Sequence, residues 1–122
     1  MKKVFTLALS ILLIFSVTIS AAATATRATN RVNTDIQPDS IVRVGTPLSM
    51  EADELITINC TYSPRTADVD FGLITPRNTF IFVEGEDGDC NQTIQVSQTG
   101  NYYFAVRNNT SRTVEVLGYV YY

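Results

Sequence analysis

Apolar side chains recur at every second position in several short segments of this chain, and this rhythm constrains the fold most. In ELITINCTY, residues 54–62, the even positions from Ile56 to Tyr62 are all apolar or aromatic. Such side chains share one face because successive residues of a strand point to opposite sides. Segments rich in Gly, Pro, Asn and Asp separate these runs, and no window after the first apolar run has a helical period. The sequence predicts an all-β fold, a single antiparallel β-sandwich or jelly roll of about seven to eight strands.

Eight segments carry the strand pattern: SIVRV, PLSMEA, ELITINCTY, ADVDFGLIT, TFIFV, QTIQV, NYYFAVR and RTVEVLGYVYY. The run TFIFV is continuously apolar, which is typical of a strand buried on both faces. Residues 24–39 are polar and lack periodicity, and they are predicted to form a spacer. The β-sandwich domain is therefore expected to span residues 40–122.

The start of the chain has the organisation of a secretory leader. Lys2 and Lys3 precede an apolar run, which ends in the small residues Ala21 to Ala23. This order predicts a signal-peptide helix over residues 1–23, removed on export, and its style is bacterial. The alternative is an uncleaved membrane anchor, but the run is shorter than the roughly 20 apolar residues that a spanning helix needs. We expect a secreted, extracellular protein that has no membrane span after cleavage.

The composition excludes several functions. His and Trp are absent, so Ser-His-Asp triads and His-ligated zinc sites are excluded. Without its leader the chain would carry seven arginines against twelve acidic residues, a balance unsuited to nucleic acid or an anionic membrane. Asp68 and Asp70 share a strand face, and a carboxylate pair can hydrolyse glycosides, but neighbouring charges on a solvent-facing strand are far commoner. The sequence predicts a protein that is not an enzyme.

Cys60 and Cys90 are the only cysteines. An even number of cysteines in an exported chain favours a disulfide. Both side chains lie on the apolar face of their segments, where Cys90 shares parity with Ile94 and Val96. A reactive thiol would need a basic neighbour or a CxxC spacing, and neither is present. The sequence therefore predicts a structural Cys60–Cys90 disulfide.

The last two segments predict exposed tyrosines. The alternation of apolar side chains in these segments directs Phe104 towards the core and places Tyr103, Tyr119 and Tyr121 on the outer side. A hairpin between the two segments would set Phe104 beside Val114 or Val116, whereas a Greek-key order would separate them. The three tyrosines either shield the sheet by cross-strand packing or stack on a sugar or peptide. They are the candidate ligand-binding residues.

The segment VEGEDGDC concentrates four carboxylates, those of Glu84, Glu86, Asp87 and Asp89. Calcium prefers oxygen ligands at such a density, although the spacing does not match an EF-hand loop. The alternative is a solvated acidic turn between two strands. Calcium is thus the one cofactor that the sequence suggests. The triplets NCT, NQT, NNT and NTS match the glycosylation sequon, which we attribute to chance in a bacterial protein rich in Asn and Thr.

The stretch TGNYYFAV followed by NNTSRTVEVLGYVYY resembles the final part of secreted bacterial pre-peptidase C-terminal domains and of GOLD-type β-sandwiches. In both families a Gly-x-Tyr strand leads to a polar turn and a last aliphatic strand, and MEADELITINCTYSP fits an early strand. The resemblance implies a β-sandwich, and the GOLD likeness implies an adaptor that contacts other molecules. Gly100 and Tyr102 also resemble the tyrosine corner of immunoglobulin-like domains, although the Trp of those domains is absent.

These observations favour an exported, non-catalytic β-sandwich that binds a glycan, peptide or protein of the cell envelope or its surroundings. The exposed tyrosines motivate this interpretation. The alternative is a structural or accessory secreted protein that self-associates through an edge strand, suggested by the strand-like end of the chain.

Overall fold

The computed structural model describes residues 28–122, which form two antiparallel sheets packed face to face. In chain order the strands are β1 (Thr29–Ile36), β2 (Ser40–Arg43), β3 (Leu48–Met50), β4 (Leu55–Ser63), β5 (Val69–Ile74), β6 (Phe80–Glu84), β7 (Asp89–Gln95), β8 (Gly100–Asn108) and β9 (Val114–Tyr121). The prediction of an all-β sandwich is confirmed, with nine strands in place of seven to eight. Across the described range, no helix is long and apolar enough to cross a membrane.

The strands divide into a four-stranded and a five-stranded sheet. The first has the order β1-β9-β4-β7. The second has the order β2-β8-β5-β6, and β3 also pairs with β8, beside the half that β2 leaves free. Although β8 and β9 are consecutive in the chain, they lie in different sheets and form no hairpin. Phe104 therefore does not pair with Val114 or Val116, and the predicted alternative, in which the two strands are not neighbours, is the one observed.

Strand β1 lies inside the range predicted to be a polar spacer, and that prediction is wrong for residues 29–36. The strand pairs along its whole length with β9, from Thr29 opposite Tyr121 to Ile36 opposite Val114. Val32 and Ile36 are its only buried side chains. Two apolar residues four positions apart are too few to reveal an alternating pattern, so β1 is defined by its partner. The predicted signal peptide, 1–23, lies outside the described residues.

The core between the sheets contains the side chains that the alternation assigned to it. In β4 the even-numbered side chains from Ile56 to Tyr62 are buried, and the odd-numbered ones are exposed or half-buried. Tyr102 is 2% exposed, and its hydroxyl donates a hydrogen bond to the carbonyl of Gln98 at 2.6 Å. A tyrosine that bonds back to the preceding turn is the arrangement of a tyrosine corner, as the resemblance to immunoglobulin-like sandwiches implied.

Strand β6 is not buried on both faces, contrary to the prediction for TFIFV. It forms an edge of the five-stranded sheet. Ile81 and Val83 pack against the core, whereas Phe82 on the other face is 43% exposed. Phe80 and Phe82 stack with ring centroids 5.1 Å apart. The continuous apolar run TFIFV therefore forms an edge strand that has an aromatic outer face.

Candidate functional site

The outer face of the four-stranded sheet is arranged in three rows that cross β1, β9 and β4. Each row has a large side chain of β9 in the centre and a hydrogen-bonding side chain on either side. The rows are Thr29–Tyr121–Thr57, Arg31–Tyr119–Asn59 and Asn33–Leu117–Thr61. We call these residues the tyrosine face.

The central column of the tyrosine face is an exposed apolar strip along β9. The ring centroids of Tyr119 and Tyr121 are 6.3 Å apart, with their planes inclined by 30°. This distance follows from the strand itself, since alternate residues on one face are about 6.8 Å apart. Tyr119 is 45% exposed and Leu117 is 39% exposed. The strip therefore offers a ligand three consecutive apolar contacts.

A shallow depression of about 510 Å³ lies over this strip. Its lining includes Arg31 on one side, Asn59 and Thr61 on the other, and the backbone at Gly118. At Gly118, φ is 148°, and an added Cβ would lie 2.6 Å from the Cα of Cys60. Glycine at this position lets the backbones of β9 and β4 approach closely beneath the tyrosines.

The polar columns beside the strip contain unpartnered side chains. Among residues 28–122, the side chains of Arg31 and Asn59 have no hydrogen-bond or ion-pair partner. The hydroxyl of Thr61 donates to the carbonyl of Leu117 at 3.5 Å. The hydroxyl of Thr57 shares a 3.0 Å hydrogen bond with that of Thr93 on β7. A guanidinium and an amide on either side of Tyr119 are thus available to a ligand.

Tyr103 lies on the opposite side of the molecule, so the three predicted tyrosines do not form one site. It belongs to β8, on the outer face of the five-stranded sheet. The Arg43 guanidinium carbon lies 4.4 Å from the centre of its ring, and Arg43 donates a 3.3 Å hydrogen bond to Asn78. A second depression, of about 350 Å³, lies beside this pair. Tyr103 therefore already has a stacking partner.

A second arginine, Arg107, lies over another aromatic ring of that face. Arg107 donates to one carboxylate oxygen of Asp70 from Nε at 2.9 Å and from Nη2 at 2.7 Å. Its guanidinium carbon lies 4.4 Å from the ring centre of Phe82. Asp70 is only 3% exposed and also accepts a 2.8 Å hydrogen bond from Asn109. Asp70 is therefore not solvent-facing, and its occupied carboxylate does not form an acid–base pair with Asp68.

The acidic segment runs from one sheet to the other. Within residues 28–122, no group of three or more His, Cys, Asp or Glu side chains is placed to hold a metal ion. Calcium binding by Glu84, Glu86, Asp87 and Asp89 stays a prediction that the geometry does not favour, because Glu84 ends β6 in one sheet and Asp89 begins β7 in the other. Asp87 instead pairs with the exposed Arg65 at 3.2 Å.

Cys60 and Cys90 are buried on the core face, as predicted, but they are free thiols and not a disulfide. They are direct partners across β4 and β7. The backbone N–H of Tyr62, two residues along β4, donates to the carbonyl of Gly88 at 2.8 Å, so the cysteines occupy the hydrogen-bonded type of pair. Cβ atoms in such pairs are about 5.5 Å apart, whereas a disulfide needs about 3.5–4.5 Å. Burial raises the pKa of Cys60 to about 12 and that of Cys90 to about 11.

Sequence reasoning identified Tyr119 and Tyr121 and missed their neighbours. Arg31 was assigned to a spacer, and Asn59 was only a solvent-side residue of its strand. The alternation in RVNTDI, where Val32 and Ile36 share parity, is the weak signal that could have placed Arg31 on the outer face. Nothing local in the sequence shows that β1 and β4 flank β9, because strand order is set by packing of the whole domain.

No protein-family model matches this chain, and no curated protein matches its sequence. Several solved structures resemble it, among them a lysozyme inhibitor and a carbohydrate-binding module. PliG of Aeromonas hydrophila, a periplasmic inhibitor of g-type lysozyme, aligns with a TM-score of 0.53 and 12% identity, over 76% of this chain and 84% of PliG. The carbohydrate-binding module CBM6cm-2 of Cellvibrio mixtus lichenase 5A, solved with cellotriose, aligns with a TM-score of 0.42 and 13% identity, over 81% and 88%. The PliG match supports the β-sandwich fold. It does not favour the pre-peptidase family or the GOLD family in particular.

Proposed function

We propose that this protein is an exported, non-catalytic binding module, and that the tyrosine face binds a component of the cell envelope or the extracellular medium. The observation that carries the proposal is the strip formed by the exposed Leu117 and Tyr119 and the half-buried Tyr121. Tyrosine provides rigid, amphipathic contact area at a low cost in conformational entropy. On the opposite face each of two aromatic rings has an arginine stacked on it, Tyr103 under Arg43 and Phe82 under Arg107, although Phe82 is still 43% exposed.

Three further observations support a binding role. The residues described contain no His, and one oxygen of the buried Asp70 carboxylate accepts hydrogen bonds from Arg107 and Asn109. The predicted leader over residues 1–23 directs the chain out of the cytoplasm. PliG, whose fold is similar, is an inhibitor and therefore acts by binding.

A sedimentation assay with isolated cell envelopes of the producing organism tests the proposal. The purified protein is expected to bind them, and Tyr119→Ser or Tyr121→Ser is expected to weaken binding at least about tenfold. Tyr103→Ser is the matched control, because it removes the same side chain from the opposite face. Circular dichroism is the check that all three variants keep the β-fold.

Equal binding by the Tyr119 and Tyr121 variants and the unmodified protein would contradict the proposal. So would a loss of binding that only Tyr103→Ser produces. Self-association through an edge strand stays a prediction that no specific contact favours. The strand that suggested it, β9, lies between β1 and β4 and has both of its edges paired.

A further inference from the structure

We infer that the ligand of the tyrosine face is a neutral, linear oligosaccharide that lies along β9. This inference rests on the proposed function and specifies the class of ligand. The observation behind it is that each apolar contact of the strip is flanked, in the same row, by a hydrogen-bonding side chain on both sides.

The apolar strip matches the faces of sugar rings. A pyranose presents C–H bonds on its two faces and hydroxyl groups around its edge. Leu117, Tyr119 and Tyr121 are alternate residues of one strand, so their side chains form a straight series with a regular spacing. Consecutive sugar units of a linear chain can lie over consecutive members of this series, with each C–H face against an aromatic ring or the Leu side chain.

The polar columns match the edges of the same rings. On the β1 side these are Thr29, Arg31 and Asn33, and on the β4 side they are Thr57, Asn59 and Thr61. Hydroxyl and amide groups both donate and accept hydrogen bonds, as sugar hydroxyls do. The unpartnered side chains of Arg31 and Asn59 flank Tyr119, where the central sugar unit would lie.

An extended peptide fits this surface less well. Peptides that bind sheets add a strand at an edge, because main-chain hydrogen bonds supply much of the affinity. Both edges of β9 are already paired, with β1 and with β4. A peptide on the tyrosine face would leave its own backbone groups to be satisfied by side chains alone.

A protein partner also fits less well. Residues that dominate protein interfaces are Trp, Tyr and Arg in desolvated pockets, whereas Thr, Ser and Leu are under-represented among them. The tyrosine face has Thr at three of its corners, Thr29, Thr57 and Thr61, and an open depression in place of a pocket.

The charges at one end of the strip favour a neutral sugar. In the next row beyond Leu117, Asp35 of β1 faces Glu115 of β9 directly. Two carboxylates at this point would repel an acidic saccharide that extends past Leu117. Arg31 is the one cation that the described part of the tyrosine face contains.

An array of neutral and acidic oligosaccharides, from monosaccharides to hexasaccharides, tests the inference with the purified protein. We expect binding to a neutral linear series, with affinity that rises up to the trisaccharide and then stays constant. Arg31→Ala and Asn59→Ala should each lower the affinity by about threefold to tenfold. Arg43→Ala and Asn78→Ala are matched controls on the opposite face, and both should bind as the unmodified protein does.

Treated envelopes separate failure of this inference from failure of the proposed function. Periodate cleaves the vicinal diols of sugars and should abolish the binding that depends on Tyr119, whereas protease digestion should not. Tyrosine-dependent binding that survives periodate and is lost after protease would overturn the oligosaccharide and leave the binding face standing. Preference for acidic sugars on the array would overturn the neutral class, and no binding to any sugar or envelope would overturn both proposals.

Discussion

Among single residues, Gly118 has no side chain, but the tyrosine face depends on it. Its φ of 148° lies in the region that favours glycine, and an added Cβ would meet the carbonyl oxygen of Asn59 and the Cα of Cys60. Both are backbone atoms of β4, which cannot move aside without breaking the pairing with β9. We predict that Gly118→Ala lowers the free energy of unfolding by about 2–3 kcal/mol, measured by urea titration.

Gly45→Ala is the control for this prediction. Gly45 also has a positive φ, of 80°, but an added Cβ there would meet nothing within 4 Å. Its substitution should therefore cost only the backbone strain, about 1 kcal/mol. Equal losses of stability in the two variants would show that β9 and β4 are not as close as the structure has them.

At the scale of strands, the sequence predicted where the strands occur and which of their side chains face the core. It did not predict which strands pair with one another. Eight of the nine strands follow from alternation and turn residues, and Cys60, Cys90 and Phe104 are buried on the faces expected. Strand β1 escaped detection because its two buried residues leave no visible rhythm. Pairing could not be derived locally, since β8 and β9 are consecutive but belong to different sheets.

The two buried thiols that β4 and β7 place opposite each other predict that the free energy of unfolding depends on pH. Burial raises the pKa of Cys60 from 9.0 to about 12 and that of Cys90 from 9.0 to about 11. Because the folded protein holds these protons more tightly than the unfolded chain, their stabilising effect is complete below pH 9 and is lost as the pH rises through 11. Urea titrations should show a fall of about 1.4 kcal/mol per pH unit for each thiol.

The double variant Cys60→Ala/Cys90→Ala removes both titrating groups and should fall less steeply above pH 9. Burial also raises the pKa of Tyr62, which both proteins retain, so the difference between the two profiles isolates the thiols. Coincident profiles would indicate that the sulfurs carry no protons to lose, as in a disulfide, and would contradict the free thiols of the structure.

For the whole molecule, the decisive feature is that the two outer faces differ. On the five-stranded sheet, Arg43 and Arg107 stack on the aromatic rings of Tyr103 and Phe82. On the four-stranded sheet, the exposed Tyr119 and the half-buried Tyr121 lie between two columns of hydrogen-bonding side chains and have no arginine stacked on them. The alternation of side chains along each strand predicts that the three tyrosines point outward, but it does not say to which sheet each belongs. The sequence therefore grouped Tyr103 with Tyr119 and Tyr121, which lie on the other sheet.

The central claim is that ligand binding is confined to the tyrosine face. Amide chemical shifts of the isotope-labelled protein, recorded with and without the sugar or envelope fragment that binds most tightly, test this claim most directly. The account predicts that the largest shift changes occur in β1, in β9 and at residues 57–61 of β4, with none around Tyr103. Largest changes around Tyr103 and Arg43, or only in the loops between strands, would contradict it.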